Sequence, residues 1–221
     1  NPAPPHIDVI TAIEPVHLEY FGTLAKIAEA KAEIFAGVEP GGAAVLNRDN
    51  AQFAQLAAAA RAGGIKRIVS FGEHAETDAR LLRISLQPDS STVEASILRQ
   101  SVTYKVGMPG RHIALNSLAV LAAASLAGAD LALAALALGN LKPPSGRGTR
   151  STLTVPGGTA LLIDESYNAN PASMRAAIAL LGAAPVGQHG RRIAVLGDML
   201  ELGPQGGELH RALANVIEEK G

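Results

Sequence analysis

The stretch that decides the fold reads IDVITAIEPVHLEYFGTLAKIAEAKAEIF, residues 7–35. Its first part, Ile7 to Ile13, is an apolar run that predicts a β-strand, and from Thr23 it takes the spacing of a helix with a threonine N-cap. Lys31 falls inside the apolar stripe of that helix. An isolated lysine there usually packs its stem and extends its amine to water. The position of His17 just past a strand favours a second interpretation, a ligand crevice with a buried amine.

Strand and helix patterns alternate further along the chain. Strands at residues 43–46 and 67–71 bracket an alanine-rich helix at 50–62, which predicts a parallel sheet with helices on its faces. Shorter alternating patterns at residues 81–86, 91–98 and 101–106 then predict an antiparallel addition. The segment Ile113 to Leu138 is rich in Ala and Leu but interrupted by polar residues, so it predicts two buried helices and not a membrane span.

A linker is predicted at Lys142 to Gly148, because proline and glycine are dense there. It would separate a domain of residues 1–142 from the beginning of a second domain, residues 143–221. In the second domain the patterns predict strands at 151–155, 160–164 and 192–196, and helices at 171–181 and 205–220. The predicted fold class is therefore α/β, a mostly parallel sheet flanked by helices and followed by part of a second Rossmann-like α/β domain.

Composition excludes several classes of protein. Hydrophobic residues make up 48% of the 221 residues, which is ample for packed cores. The formal net charge is −1 without a basic run, and aromatic residues make up 3%, so neither a phosphate-neutralising nor a base-stacking nucleic-acid surface is expected. There is no cysteine for a disulfide or a thiolate zinc site, which fits a reducing, cytoplasmic location.

Several motifs occur in a fixed order along the chain. They are HLEYFG at 17–22, AKAEIF at 30–35, LNRD at 46–49, PGRH at 109–112, DESYNANP at 164–171 and GDMLELG at 197–203. In this order they resemble the Mur ligases, and the last two are the most specific. Within that family the resemblance is to the enzymes that add D-alanyl-D-alanine to UDP-N-acetylmuramoyl-tripeptide in peptidoglycan synthesis.

The resemblance implies an ATP-dependent amide ligase that works through an acyl phosphate, with two magnesium ions. It implies that His17 and Lys31 act at the metal, Lys31 as a carbamylated lysine, a modification suited to a buried amine. It further implies a nucleotide site whose residues are Asn116, Arg147, Glu165, Asn168 and Asn170. Ile113 stands where the family has a second asparagine, and Glu165 stands where many relatives have aspartate.

No phosphate-binding loop of the Gly-Lys-Thr/Ser type occurs in the sequence. Family members carry it before the segment matched here, so the sequence is interpreted as part of a longer, monomeric ligase, and we expect this chain alone to be inactive. Two alternatives remain open. One is another amide ligase of the superfamily, such as a different Mur ligase or a folylpolyglutamate synthase, and the other is a non-catalytic domain that binds a nucleotide or a partner.

Overall fold

A computed structural model describes residues 4–15, 18–188 and 190–220 of the chain. The chain forms two compact units, one of Asn1–Ile13 and Phe21–Leu141 and the other of Glu14–Tyr20 and Lys142–Gly221. The strands are β1 Ile7–Ile10, β2 Ala43–Asn47, β3 Arg67–Gly72, β4 Ala79–Leu86, β5 Ser91–Ile97, β6 Gln100–Val106, β7 Thr149–Val155 and β8 Gly158–Asp164. The helices are α1 Leu18–Phe21, α2 Leu24–Ala32, α3 Phe53–Ala62, α4 Arg111–Leu126, α5 Leu131–Leu138, α6 Pro171–Ala183 and α7 Gly206–Lys220.

The first unit is built on a six-stranded sheet in the order β1-β2-β3-β4-β5-β6. Strands β1 to β4 pair in parallel, and β4, β5 and β6 pair antiparallel. Both the parallel part and the antiparallel addition predicted from the sequence are therefore confirmed. The parallel β2 is buried along most of its length, as expected for a strand covered on both faces.

The core of the first unit lies between the sheet and helix α4. Leu118 and Leu121 of α4 are fully buried against Phe71 of β3 and Val93 of β5. The predicted helix pair is present as α4 and α5, which are separated by a turn at Gly128 with φ of +85°. The predicted burial is wrong for α5, where Leu133 and Leu136 are 67% and 72% exposed. No helix in the described part of the chain is long and apolar enough to cross a bilayer.

The second unit contains the hairpin β7-β8 and the helices α6 and α7. Its small core joins Ile178 of α6 to Leu213 of α7, together with Met199 and Leu202 from the segment between these helices. The predicted helix at 171–181 is confirmed and extends to Ala183. Asn170 caps it, and Pro171 occupies the first helical position.

The strand predicted at residues 192–196 is wrong. This segment has no strand pairing, and Val195 is 94% exposed. A cavity of about 790 Å³, lined on one side by β8 and on another by residues 193–198, accompanies the missing pairing. Because a strand is defined by ladder hydrogen bonds to a neighbour, an apolar run without one remains extended chain.

The predicted burial of Lys31 is also wrong. Lys31 is exposed, and Ile34 from the same apolar stripe is 45% exposed. The buried residues of α2 are Ile27 and Ala28 only. After Ala32 the chain continues as a 3₁₀-helix, Glu33–Gly37. This helix turns through a larger angle per residue than an α-helix, so Phe35 points into the core although it lies four residues after the exposed Lys31.

Candidate functional site

The linker arginine and the loop after β8 come together in the second unit. The guanidinium carbon of Arg147 lies 4.3 Å from the centroid of the Tyr167 ring, within the range of a cation–π contact. The backbone N–H of Tyr167 donates to the carbonyl of Gly146 over 3.1 Å, and the N–H of Gly148 donates to the carbonyl of Asp164 over 2.8 Å. The arginine therefore belongs to the same structural unit as this loop.

Two carboxyl groups begin the loop, and their surroundings shift their pKa values in opposite directions. Hydrogen bonds from the side chain and the backbone N–H of Ser166 hold the pKa of Asp164 below its usual value. Partial burial and the neighbouring Asp164 charge raise the pKa of Glu165, while the Arg147 charge acts in the opposite direction. The structure thus brings Arg147 and Glu165 close enough to influence each other.

The two predicted asparagines of the loop already use their carbonyl oxygens within the protein. Asn170 Oδ1 accepts from the N–H groups of Ala172 and Ser173 at 3.0 and 2.9 Å, which caps α6. Asn168 Oδ1 accepts from the N–H of Ala169 at 2.9 Å. Both side-chain NH₂ groups, and the second lone pair of Asn168 Oδ1, can therefore still bind a ligand.

The GDMLELG motif forms a second loop of this unit. Met199 and Leu202 are buried, whereas Asp198 is exposed. The backbone N–H of Met199 donates to Nε2 of His210 over 3.0 Å, and the carbonyl of Glu201 accepts from the N–H of Glu19 over 3.2 Å. His210 was not predicted, although its place on the helix that follows the motif could have indicated it.

These two loops line the cavity of about 790 Å³. Its wall is apolar at Leu161, Ile178 and Ile193, and its polar rim includes Glu165 and Asp198. A concave apolar site with few polar groups is the usual form of a ligand pocket.

A separate polar cluster lies in the first unit, where β2 and β3 end. The carboxylate of Asp49 accepts from the N–H of Glu73 at 2.7 Å and from the N–H of His74 at 3.1 Å. Gly72 passes so close that a Cβ there would lie 2.4 Å from an Asp49 oxygen, so only glycine fits. Asp49 therefore clamps the carboxyl ends of two parallel strands together, which is the edge where α/β sheets bind ligands.

Two arginines complete this cluster with ion pairs. Arg48 donates to Glu76 at 2.6 Å and to Nδ1 of His74 at 3.1 Å, and Arg111 pairs with Glu73. The roles of these charged side chains were not predicted, because their partners lie more than twenty residues away in sequence.

Two of the other predicted site residues lie on different helices of the first unit. Asn116 is half-buried on α4, and Lys31 is exposed on α2. His17 lies outside the described residues. Within the described ranges no group of three or more His, Asp or Glu side chains could hold a metal ion.

Comparison with known proteins places these features in a family. A family model for the Mur ligase middle domain matches residues 1–124, and one for the Mur ligase glutamate ligase domain matches residues 151–221. The chain is 31% identical over 218 residues to the UDP-N-acetylmuramoyl-tripeptide--D-alanyl-D-alanine ligase of Escherichia coli, covering 98% of this chain and 46% of that ligase.

Solved structures agree with this similarity. MurF from Acinetobacter baumannii matches with a TM-score of 0.85 at 30% identity, over 98% of this chain and 45% of that one. The MurF ligase of Thermotoga maritima in complex with ADP matches with a TM-score of 0.78 at 27% identity, over 97% of this chain and 47% of that one. The chain thus spans about half the length of the relatives it matches. Because the two domain models match in order and the first covers more than half of the sequence, the chain belongs to the Mur ligase family.

Proposed function

We propose that this chain comprises the central domain, without its phosphate-binding loop, and the first part of the C-terminal domain of an ATP-dependent ligase that joins D-alanyl-D-alanine to UDP-N-acetylmuramoyl-tripeptide in peptidoglycan synthesis. The observation that carries the proposal is the similarity to the Escherichia coli ligase over 98% of the chain. The ADP complex of the Thermotoga maritima relative supports ATP as the nucleotide. The whole protein is proposed to be a cytoplasmic monomer.

The proposed reaction has two steps. A carboxylate oxygen of the tripeptide attacks the γ-phosphorus of ATP, the bond to ADP breaks, and an acyl phosphate forms. The amine nitrogen of D-alanyl-D-alanine then attacks the acyl carbon, phosphate leaves, and the nitrogen loses a proton as the amide forms. Catalysis of such phosphoryl transfer depends mainly on positioning and on stabilising charge.

Three side chains of this chain are assigned to the nucleotide. Arg147 would stabilise charge on the transferred phosphoryl group, because a guanidinium pairs with phosphate oxygens through two parallel N–H groups. Glu165 would accept a hydrogen bond from the ribose. Asn116 would contact the adenine from helix α4.

Asn168 and Asn170, in the same loop as Glu165, are also assigned to the nucleotide site. Asn170 Oδ1 already accepts two backbone N–H groups, so Asn170 would act on a ligand through its NH₂ group, whereas Asn168, whose oxygen accepts one, could either donate or accept. Asn170 also caps α6, so its substitution would disturb the helix as well as any ligand contact.

Two magnesium ions belong to the proposal by resemblance alone, with His17 and a carbamylated Lys31 as ligands. Because Lys31 is exposed, burial does not support its carbamylation. No step of the proposed reaction uses the metal. Exposure of the full-length protein to ¹³C-labelled bicarbonate tests the modification. A carbamate carbon signal that disappears in Lys31→Arg would support it, and its absence from the wild-type spectrum would contradict it.

The test of the reaction uses the full-length protein with ATP, UDP-N-acetylmuramoyl-tripeptide and one of several amines. Phosphate release and a product of the expected mass should appear with D-alanyl-D-alanine and not with single amino acids or glutamate. Preference for glutamate or a single amino acid would instead support one of the other ligases. The 221-residue chain alone serves as the matched control and should show no turnover, because it lacks a phosphate-binding loop.

A further inference from the structure

The side chain of Arg147 stacks on an aromatic ring, and although the Glu165 carboxyl is close enough for the two charges to interact, the two groups form no ion pair. Its guanidinium carbon lies 4.3 Å from the centroid of the Tyr167 ring, and no ion pair joins it to any residue that the structure describes. Both side chains are exposed, Tyr167 by 68%. This differs from Arg48 and Arg111 of the first unit, which each pair with a glutamate.

The backbone fixes the two residues relative to each other. Tyr167 N–H donates to the carbonyl of Gly146, the residue before Arg147. Gly146 has a φ of +71°, and a Cβ there would lie 3.0 Å from Tyr167 Cβ, so the two backbones approach more closely than a side chain would allow. Arg147 N–H in turn donates to the carbonyl of Pro144 over 3.1 Å. The backbone on either side of the Arg147 side chain is therefore held by hydrogen bonds and is not a free linker.

Stacking leaves the hydrogen-bonding groups of the arginine available. A cation–π contact involves no hydrogen-bond acceptor, so it leaves the five N–H donors of the guanidinium without a hydrogen-bonded partner of their own. An arginine paired with a carboxylate would have to give up that partner before it could bind an anion. One stacked on a ring keeps its donors free and loses less side-chain freedom when it binds.

We infer that Tyr167 is a positioning residue, which holds the Arg147 guanidinium with its N–H edge free to bind a phosphate group of the nucleotide. The inference rests on the proposed function, since it deepens the part that Arg147 plays there. It assigns the tyrosine of the DESYNANP motif a role through its ring, whereas the hydroxyl is not required.

The experiment measures kcat/KM for ATP in the full-length ligase carrying Tyr167→Leu, Tyr167→Phe, Arg147→Ala, or Tyr167→Leu with Arg147→Ala. Loss of an exposed cation–π pair should lower kcat/KM about two- to fivefold in Tyr167→Leu. Tyr167→Phe should match the wild type because it retains the ring. Arg147→Ala should lower the value on the order of a hundredfold, and adding Tyr167→Leu to it should have no further effect.

A merely structural role for the ring would give a different pattern. The double variant would then lose activity beyond Arg147→Ala, and the KM for D-alanyl-D-alanine would rise together with that for ATP, which would overturn the inference. If Arg147→Ala lowers kcat/KM while Tyr167→Leu equals the wild type, the inference fails and the proposed function stands. If Arg147→Ala has no effect but product still forms, the inference and the role of Arg147 both fail without contradicting the ligase reaction.

Discussion

Asp8 on β1 provides a quantitative test of the packing in the first unit. Its side chain is 3% exposed, and Oδ2 has no hydrogen-bond partner among the described residues. It pairs in register with Ala44 of β2, which is fully buried. Burial raises the pKa of the Asp8 carboxyl. The folded structure therefore favours the neutral form of the Asp8 carboxyl over the charged form.

Replacing Asp8 by asparagine keeps the shape and removes the charge. We expect Asp8→Asn to raise the free energy of unfolding at pH 8 by about 1–2 kcal/mol, the excess cost of leaving a charged rather than a neutral group without partners. For a chain of this size each kcal/mol corresponds to about 2–4 °C in Tm.

The pH dependence of this effect has a definite sign. Because the folded pKa of Asp8 lies above the unfolded value of about 3.9, the folded state binds the proton more tightly. In the wild type, the contribution of Asp8 to the free energy of unfolding is fully present at pH values below the unfolded pKa. It is lost as the pH rises through the folded pKa. The advantage of Asp8→Asn should therefore be largest at pH 8 and shrink towards pH 4.

Urea denaturation followed by circular dichroism at pH 8 and pH 4 measures both quantities. Asp78→Asn is the matched control, because Oδ2 of Asp78 accepts from the N–H and the hydroxyl of Ser70 at 2.8 and 2.7 Å. That variant should not gain stability at pH 8. An Asp8→Asn chain that is less stable than the wild type at pH 8, or equally altered at both pH values, would refute the reasoning.

Three other predictions concern the hydrogen bonds that shape the loops. Asp49→Ala should lower the free energy of unfolding by about 1–2 kcal/mol, because the carboxylate accepts two backbone N–H groups; denaturant titration against Asp49→Asn checks this. Asn170→Ala should cost about 1 kcal/mol through loss of the α6 cap, whereas Asn170→Ser should retain most of it, and equal melting curves for the two would contradict the capping role. His210→Ala should speed amide hydrogen exchange at Met199, whose N–H donates to the imidazole, and unchanged exchange there would show that the bond does not hold the loop.

Local signals explain why much of the fold could be predicted. The cap at Thr23 was identified, because a cap depends on one side chain and the backbone within three residues. The order of parallel and antiparallel strands followed equally from period and spacing. These features depend on short segments of sequence, so contacts between distant residues have little effect on them.

The contacts between distant segments could not be predicted in this way. The clamp at Asp49 joins residues 24 and 25 positions apart, and the stacking of Arg147 on Tyr167 depends on a left-handed turn at Gly146. Arg147 and the loop were identified as candidates from the resemblance to the Mur ligases. Sequence patterns offer no means of choosing between a solvated linker arginine and one held in place by the loop, because that choice is made by the backbone geometry.

Lys31 shows how a correct pattern can lead to a wrong burial. The residue lies four positions after the buried Ile27 and four before the buried Phe35, which is the spacing of one helical face. Burial of all three residues would require a single continuous α-helix and a neighbouring element that packs along its whole length. Here α2 ends at Ala32, and the hydrogen bond to it from Gln55 of α3 reaches Ala25 near its beginning. Periodicity therefore indicates which face of a helix is apolar, but how far along the helix that face is covered depends on where the neighbouring element lies.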